Sequence, residues 1–253
     1  MSFRLARTVC AAVALLACVP GTAAAAETGS ALNKTEIERI VREYILANPE
    51  IITEAIAILQ QRKEEEQAMA AAAALAANQD ELFNSPTSPV IGNPRGDITL
   101  VEFFDYNCGY CKAAHPQRKA AVEDDGKVRV VMKEFPILSA SSLEAAKGAL
   151  AAAKQGKYEE MHETLITWQG PLSAAAVREA AAKVGLDLKR LEKDMESPEI
   201  LAEIEANRAL ARQLGINGTP GFVIGETVVP GMIGREAFTA LFDAERAARK
   251  AAN

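Results

Sequence analysis

Apolar positions change their period twice along this chain, and the changes divide it into three regions. Ile37, Ile40, Val41, Tyr44 and Ile45 recur at helical spacing behind Thr35-Glu36-Ile37-Glu38, which reads as a capping box opening a helix. Asn48-Pro49-Glu50 supplies a cap, a proline suited to a first helical turn and an early acid. A second helix follows, with Ile52, Ala55, Ile56 and Leu59 on one face. Beyond Leu59 the stripe fades into a charged run and then an alanine run to Ala77. Such a segment is helical by propensity but has little to bury, so residues 60–83 read as a helical or partly melted linker. Asn84-Ser85-Pro86-Thr87-Ser88-Pro89 closes it and marks a domain boundary.

The period then turns to that of a strand. Ile98 to Phe104 is β-rich and ends at Asp105-Tyr106-Asn107. Cys108-Gly109-Tyr110-Cys111 opens a helix that runs to about Asp125 and closes at Gly126. Val128 to Phe135 is nearly continuous apolar sequence, as a buried parallel strand is, which completes a βαβ unit. Residues 139–214 read as helical throughout, with helices over Ser142–Lys154, Tyr158–Ile166, Ser173–Val184, Asp187–Met195 and Pro198–Leu214. A tight loop at Gly218-Thr219-Pro220-Gly221 leads to a hairpin, Phe222-Val223-Ile224 and Thr227-Val228-Val229, and Gly234 to a last helix from Arg235 to about Lys250. The class is α/β with a helical majority.

Residues 1–26 read as an export signal: Arg4 and Arg7, an apolar run from Val9 to Val19, then small residues up to cleavage near Ala26. The run is about half the ~20 residues of a membrane-spanning helix. Lipidation at Cys18 is the alternative, but Leu16 fits that pattern poorly. Export places the mature chain in a disulfide-permissive compartment. With 28 basic against 34 acidic residues, and two of the basic ones lost with the leader, no cationic surface is indicated and nucleic-acid binding is not expected.

Cleavage also removes Cys10 and Cys18, leaving Cys108 and Cys111 alone. A bridge between residues three apart closes a tiny loop and adds little stability, so a structural disulfide is a poor explanation for the pair. A cysteine at a helix start faces unpaired N–H groups and the positive end of the helix dipole. Thiolate is the reactive form in thiol–disulfide exchange, and that setting favours it. Cys108 then attacks, Cys111 resolves the mixed disulfide one turn inside, and Gly109 lets a substrate backbone approach.

Pro116 falls inside the same helix, where a kink is expected. Glu102 interrupts the apolar strand six residues before Cys108: a buried carboxylate there serves as a proton carrier, an outward-facing one is merely solvated. Thr219-Pro220 is either a cis-proline that offers backbone to an extended peptide or an ordinary trans loop proline. Two histidines far apart in sequence, His115 and His162, make a zinc site a poor reading; His115 is expected to pack beside the kink and His162 to sit on an insertion helix without chemistry. Met161, Met195 and Met232 read as scattered packing residues and Trp168 as a loop packing residue. No cofactor is expected, and the metal option is Cu(I) on the reduced Cys108–Cys111 dithiol.

The run Glu102-Phe103-Phe104-Asp105-Tyr106-Asn107-Cys108-Gly109-Tyr110-Cys111 resembles the active-site strand and helix start of DsbA-like thiol oxidoreductases. Glu134-Phe135-Pro136-Ile137-Leu138, Gln155-Gly156-Lys157-Tyr158 and Gly218 to Gly225 resemble further segments of that family, over about residues 84–250. The resemblance implies a thioredoxin fold with a helical insertion, a cis Pro220 and Glu102 as the buried acid. Tyr44-Ile45-Leu46-Ala47-Asn48-Pro49-Glu50 and the Gly109-Tyr110 dipeptide are most similar to the suppressor-of-copper-sensitivity C (ScsC) branch. That branch is associated with disulfide-shuffling oligomers and copper tolerance.

The resemblance therefore implies a periplasmic disulfide isomerase or reductase. Its partners would be misfolded or reduced exported clients, a membrane thiol reductase and other copies of itself, as a trimer. Gly109-Tyr110 and Thr219 depart from the monomeric oxidases, which carry Pro-His and valine at these places, and resemble the reducing members instead. A DsbA-like oxidase that introduces disulfides is the alternative. The expected organisation is a leader at 1–26, a helical association segment at 27–59, a linker at 60–83 and a catalytic domain at 84–253 with its insertion at about 139–214. The association helices could instead pack back on their own domain.

Overall fold

The computed structural model describes residues 33–252, so the expected leader at 1–26 and the stretch up to residue 32 fall outside the described residues. The chain divides into two compact units, one ending at Ala57 and one beginning at Ile58.

In the first unit, helix α1 spans Lys34–Ala47. Its N-cap is Asn33, whose side-chain oxygen accepts from the Glu36 N–H at 3.0 Å. The helix thus opens ahead of the Thr35 box, because asparagine is among the strongest N-cap residues and takes the role first. No residue of α1 is buried within the chain. Ile37, Ile40, Val41, Tyr44 and Leu46 are all exposed, as are Ile52 and Ile56 at the start of α2, Glu50–Ala77.

In the second unit, α2 continues unbroken to Ala77, so the charged and alanine runs are helix rather than melted chain. The last part of the expected linker packs on the sheet. Leu75 and Leu82 are buried against Val101, Phe103 and Val131, with Leu82 on the short helix α3, Gln79–Phe83. Lys133 is fully buried beneath it; its Nζ donates to the Glu81 carbonyl and the Ser88 hydroxyl, both at 2.7 Å. Ser88 donates in turn to Glu203 at 2.7 Å. These polar pins fasten residues 81–88 alongside the apolar contacts of Leu82.

The sheet has the order β1-β3-β2-β4-β5, with β1 at Val90–Gly92, β2 at Ile98–Phe104, β3 at Val128–Glu134, β4 at Gly221–Ile224 and β5 at Thr227–Pro230. Only β2 and β3 pair in parallel, joined by helix α4, Gly109–Asp125; the other pairings are antiparallel. Strand alternation sends Val101 and Phe103 to one core and Leu100 and Phe104 to the other, with Glu102 between them in the sequence on the Leu100 and Phe104 side. That second core also contains Cys108 and Cys111.

Five helices form the insertion: α5 Ala140–Ala153, α6 Tyr158–Ile166, α7 Ala174–Lys183, α8 Leu188–Met195 and α9 Pro198–Gln213. Their small faces pack closely; a Cβ at Gly148 of α5 would lie 2.5 Å from Val177 of α7. Helix α10, Arg235–Ala252, closes the β2 and β4 side, where Phe238 meets Phe222 edge-on at 4.9 Å. Met161 and Met195 are buried in this core, whereas Met232 is exposed.

Candidate active site

Cys108 is the N-cap of α4. The Cys111 N–H points at its sulfur at 3.4 Å, the capping role that serine or aspartate oxygens play elsewhere. The Cys108 thiol donates to the Thr219 carbonyl at 3.2 Å, and the Thr219–Pro220 peptide bond is cis. The expected meeting of the cysteine pair with the 218–221 loop is therefore present. Both cysteines are free thiols.

The turn before Cys108 is held by Asp105. One carboxylate oxygen accepts from the Asn107 N–H at 2.8 Å; the other accepts from the Ile137 and Leu138 N–H groups at 2.9 and 3.0 Å. Asn107 in turn reaches the Ser139, Ser141 and Ser142 hydroxyls at the start of α5, each at 3.0 Å. These bonds tie the cysteine turn to the insertion. A Cβ at Gly109 would meet nothing within 4 Å, and Tyr110 beside it is 70% exposed, while Cys108 itself is buried, with 6% of its surface exposed. Cys111 is wholly buried; burial pushes its thiol up, and the nearby Glu102 adds to the shift. Cys111 thus stays protonated until a base takes its proton.

Glu102 lies inside, not outside: it is 3% exposed, and burial raises its carboxyl while Arg118 opposes the shift. The Arg118 Nε stands 2.7 Å from the Glu102 Oε2, a charge contact whose angles do not make a hydrogen bond. The sequence reading missed Arg118. Its signal was helical spacing, because residues 111, 115 and 118 fall on one face of α4. Pro116 does sit inside α4, and Trp168 is tied to α4 by Lys112, which donates to its carbonyl at 2.9 Å.

A buried polar cluster lies beside this face. Tyr106 donates to Glu134 at 3.1 Å and faces the His162 Nδ1 at 3.1 Å; Tyr158 donates to the same Glu134 oxygen at 2.8 Å. His162 is on the insertion helix α6, as expected, but it is not isolated. Its ring centroid is 5.6 Å from that of His115, although the two are distant in sequence. Among the described residues, no group of three or more His, Cys, Asp or Glu side chains is placed to hold a metal ion.

Burial pushes the Glu134 carboxyl well above the usual carboxylate range, with the Tyr158 and Tyr106 hydroxyls opposing. The folded chain therefore binds this proton more tightly than the unfolded chain. The group's stabilising contribution is present below the unfolded carboxylate value and is lost as pH rises through the folded one. Glu134→Gln keeps an acceptor for both tyrosines and does not ionise. Its urea midpoint is expected to rise relative to wild type between pH 5 and pH 8; parallel curves would show that Glu134 does not carry this proton.

The thioredoxin family model matches residues 84–244, which holds the whole site. This chain belongs to the thioredoxin family. A second model, the N-terminal domain of the copper resistance protein ScsC, matches residues 33–66. ScsC of Proteus mirabilis, solved in a transitional conformation, is 31% identical over 85% of this chain and 99% of its own, with a TM-score of 0.63. A thioredoxin-like oxidoreductase of Silicibacter pomeroyi is 47% identical, covering 67% of this chain and 98% of its own, with a TM-score of 0.66.

These relatives place the chain among DsbA-like thioredoxin oxidoreductases of the ScsC type. The Na(+)/H(+) antiporter NhaA of Herminiimonas arsenicoxydans is 30% identical over 168 residues, and this chain spans about a quarter (27%) of the antiporter's length. Among the described residues no helix is long and apolar enough to cross a membrane.

Proposed function

We propose that this thioredoxin-family protein is a periplasmic disulfide isomerase and reductase acting through Cys108 and Cys111. The observation that carries the reading is the cysteine pair at the start of α4: Cys108 is capped by the Cys111 N–H and faces the Thr219 carbonyl beside a cis-proline. The Cys108 thiolate attacks one sulfur of a client disulfide, and the other client sulfur leaves as a thiolate. Cys111 then attacks the Cys108 sulfur, giving its proton to Glu102. The client is released reduced and the pair is left as a disulfide. When a second client thiol attacks first, the client's bridge is exchanged and the enzyme returns unchanged. Tyr110 and the backbone of Thr219 and Pro220 line the approach, where an extended client segment pairs with the chain.

An isomerase must also hold its client, and the exposed side chains of residues 37–56 supply the means. Each large apolar side chain left in water forgoes roughly 1.5–3 kcal/mol relative to burial. Association of these helices into a trimer removes that cost and gathers several cysteine pairs around one client. Misfolded exported proteins are the clients, and a membrane thiol reductase returns electrons to the oxidised pair. Export rests on the leader at residues 1–26. The copper-resistance description of the N-terminal model favours a second role, Cu(I) held by the same reduced dithiol.

Refolding of scrambled ribonuclease tests the main reading. The reduced mature protein is expected to restore ribonuclease activity. A dithiol oxidase, the competing reading, would instead speed oxidation of fully reduced ribonuclease and leave the scrambled form inactive.

A further inference from the structure

Glu102 has no way to solvent along its own strand. It is flanked in register by Met132 on β3 and Phe222 on β4, both fully buried, and beyond its carboxylate lies Arg118. A proton taken from Cys111 must nevertheless reach water before the next cycle.

On the other side of Arg118 a cavity of about 60 Å³ opens between α4 and α6, with His115, Arg118, His162 and Glu163 in its wall. That is room for a water or two. The His162 Nε2 is buried there without a hydrogen-bond partner, and the buried His115 Nε2 meets Glu163 at angles that do not make a hydrogen bond; internal water is what ordinarily satisfies such atoms. The outer wall is shared. Lys119, Glu159 and Glu163 also line an open groove of about 680 Å³, and the Glu163 side chain is 42% exposed.

The contacts are continuous from the buried acid to the surface. Arg118 Nε is 2.7 Å from Glu102, and its Nη2 is 3.1 Å from the His115 Nδ1. The His115 Nε2 is 3.0 Å from Glu163, which also meets Lys119 at 3.2 Å. Burial, then the Arg118 charge, holds the His115 ring below its ordinary value, with Glu163 opposing. A neutral ring accepts from Arg118 at Nδ1 and carries its proton on Nε2, toward Glu163. The charged and titratable groups around His115 are Arg118 and Lys119 on its own helix and Glu159, His162 and Glu163 on α6, with Glu123 in the cavity wall and Glu102 behind Arg118.

We infer that this cavity is the proton entrance to Glu102, with His115 and Glu163 as the positioning residues that hold its water and its mouth. The inference rests on the function proposed above. In the resolving step the Cys111 proton goes to the Glu102 carboxylate and the Cys111 sulfur displaces the client thiolate from Cys108. Arg118 swings toward His115, the proton passes from Glu102 through cavity water to the Glu163 carboxylate, and from there to bulk solvent. The guanidinium stays charged throughout and transfers nothing.

The test starts from a preformed mixed disulfide between Cys108 of the mature protein and a cysteine peptide. Peptide release is followed by stopped flow from pH 5 to pH 9 and set against the rate at which the mixed disulfide forms. Proton transfer by a positioned group is typically worth 10²–10⁴-fold, and water partly bypasses a lost relay, so Glu163→Gln should lower that ratio about tenfold and flatten its pH profile. Glu163→Asp should recover most of the loss, and His115→Phe, which fills the cavity, should act in the same direction as Glu163→Gln. Glu160→Gln, which lines only the outer groove, should match wild type. If Glu163→Gln and His115→Phe superimpose on wild type across the range, the proton entrance is overturned. If the wild-type mixed disulfide does not form at all, it is the function itself that fails.

Discussion

A Cys111→Ser protein mixed with a scrambled client is expected to accumulate as a covalent adduct through Cys108. Cys108 keeps the Thr219 carbonyl at 3.2 Å and a residue 111 N–H at its sulfur, because the capping bond is a backbone bond that serine retains. The attack therefore proceeds and the escape does not. Effective molarities of well-placed intramolecular nucleophiles reach about 10⁵ M, so losing the resolver should slow release roughly 100-fold or more. Cys108→Ser is expected to form no adduct and to lose reduction and isomerisation together. Non-reducing electrophoresis and intact mass read both outcomes. Adducts carried on Cys111 in the Cys108→Ser protein would reverse the assigned roles.

The second large effect concerns residues 27–57. Deleting them is expected to leave disulfide reduction within about twofold of the full mature chain while isomerisation falls about tenfold or more, since several sites around one client raise effective concentration. Light scattering should show an oligomer before deletion and a monomer after it. A truncated monomer that rescues scrambled ribonuclease as well as the full chain would remove the association segment from the mechanism. The cut belongs before Ile58, where the second compact unit begins. Extending it to residue 82 would strip Leu75 and Leu82 from Val101, Phe103 and Val131. Removing one buried leucine side chain already costs about 2–5 kcal/mol, so that truncation would confuse a packing defect with a loss of association.

The cysteine pair, its place at a helix start and the helices of the insertion were legible in the chain because each has a local signal. Tyr158–Ile166 could be read from apolar spacing alone, and β2 and β3 from their continuous apolar runs. The elements that were missed have no such signal. Strand β1 is three residues long and exists through its pairing with β3. The docking of residues 75–88 uses, besides Leu75 and Leu82, a buried lysine that a sequence reader assigns to the surface.

At the site, the sequence left Glu102 open between a buried and a solvated place, and the Leu100–Glu102–Phe104 alternation resolves it toward the core. His115 and His162 stand 47 positions apart, and only the packing of α4 against α6 brings their rings within 5.6 Å. Arg118 carries a charge that sequence rules place in water; its burial follows from Glu102, which is itself buried.

The most direct test is a glutathione titration of the mature protein, quenched with an alkylating reagent and read by intact mass. The account predicts one transition in which both thiols disappear together, leaving a Cys108–Cys111 disulfide and no stable glutathione adduct. A protein that keeps Cys111 alkylatable while Cys108 retains a glutathionyl group, at every ratio of reduced to oxidised glutathione, would contradict it.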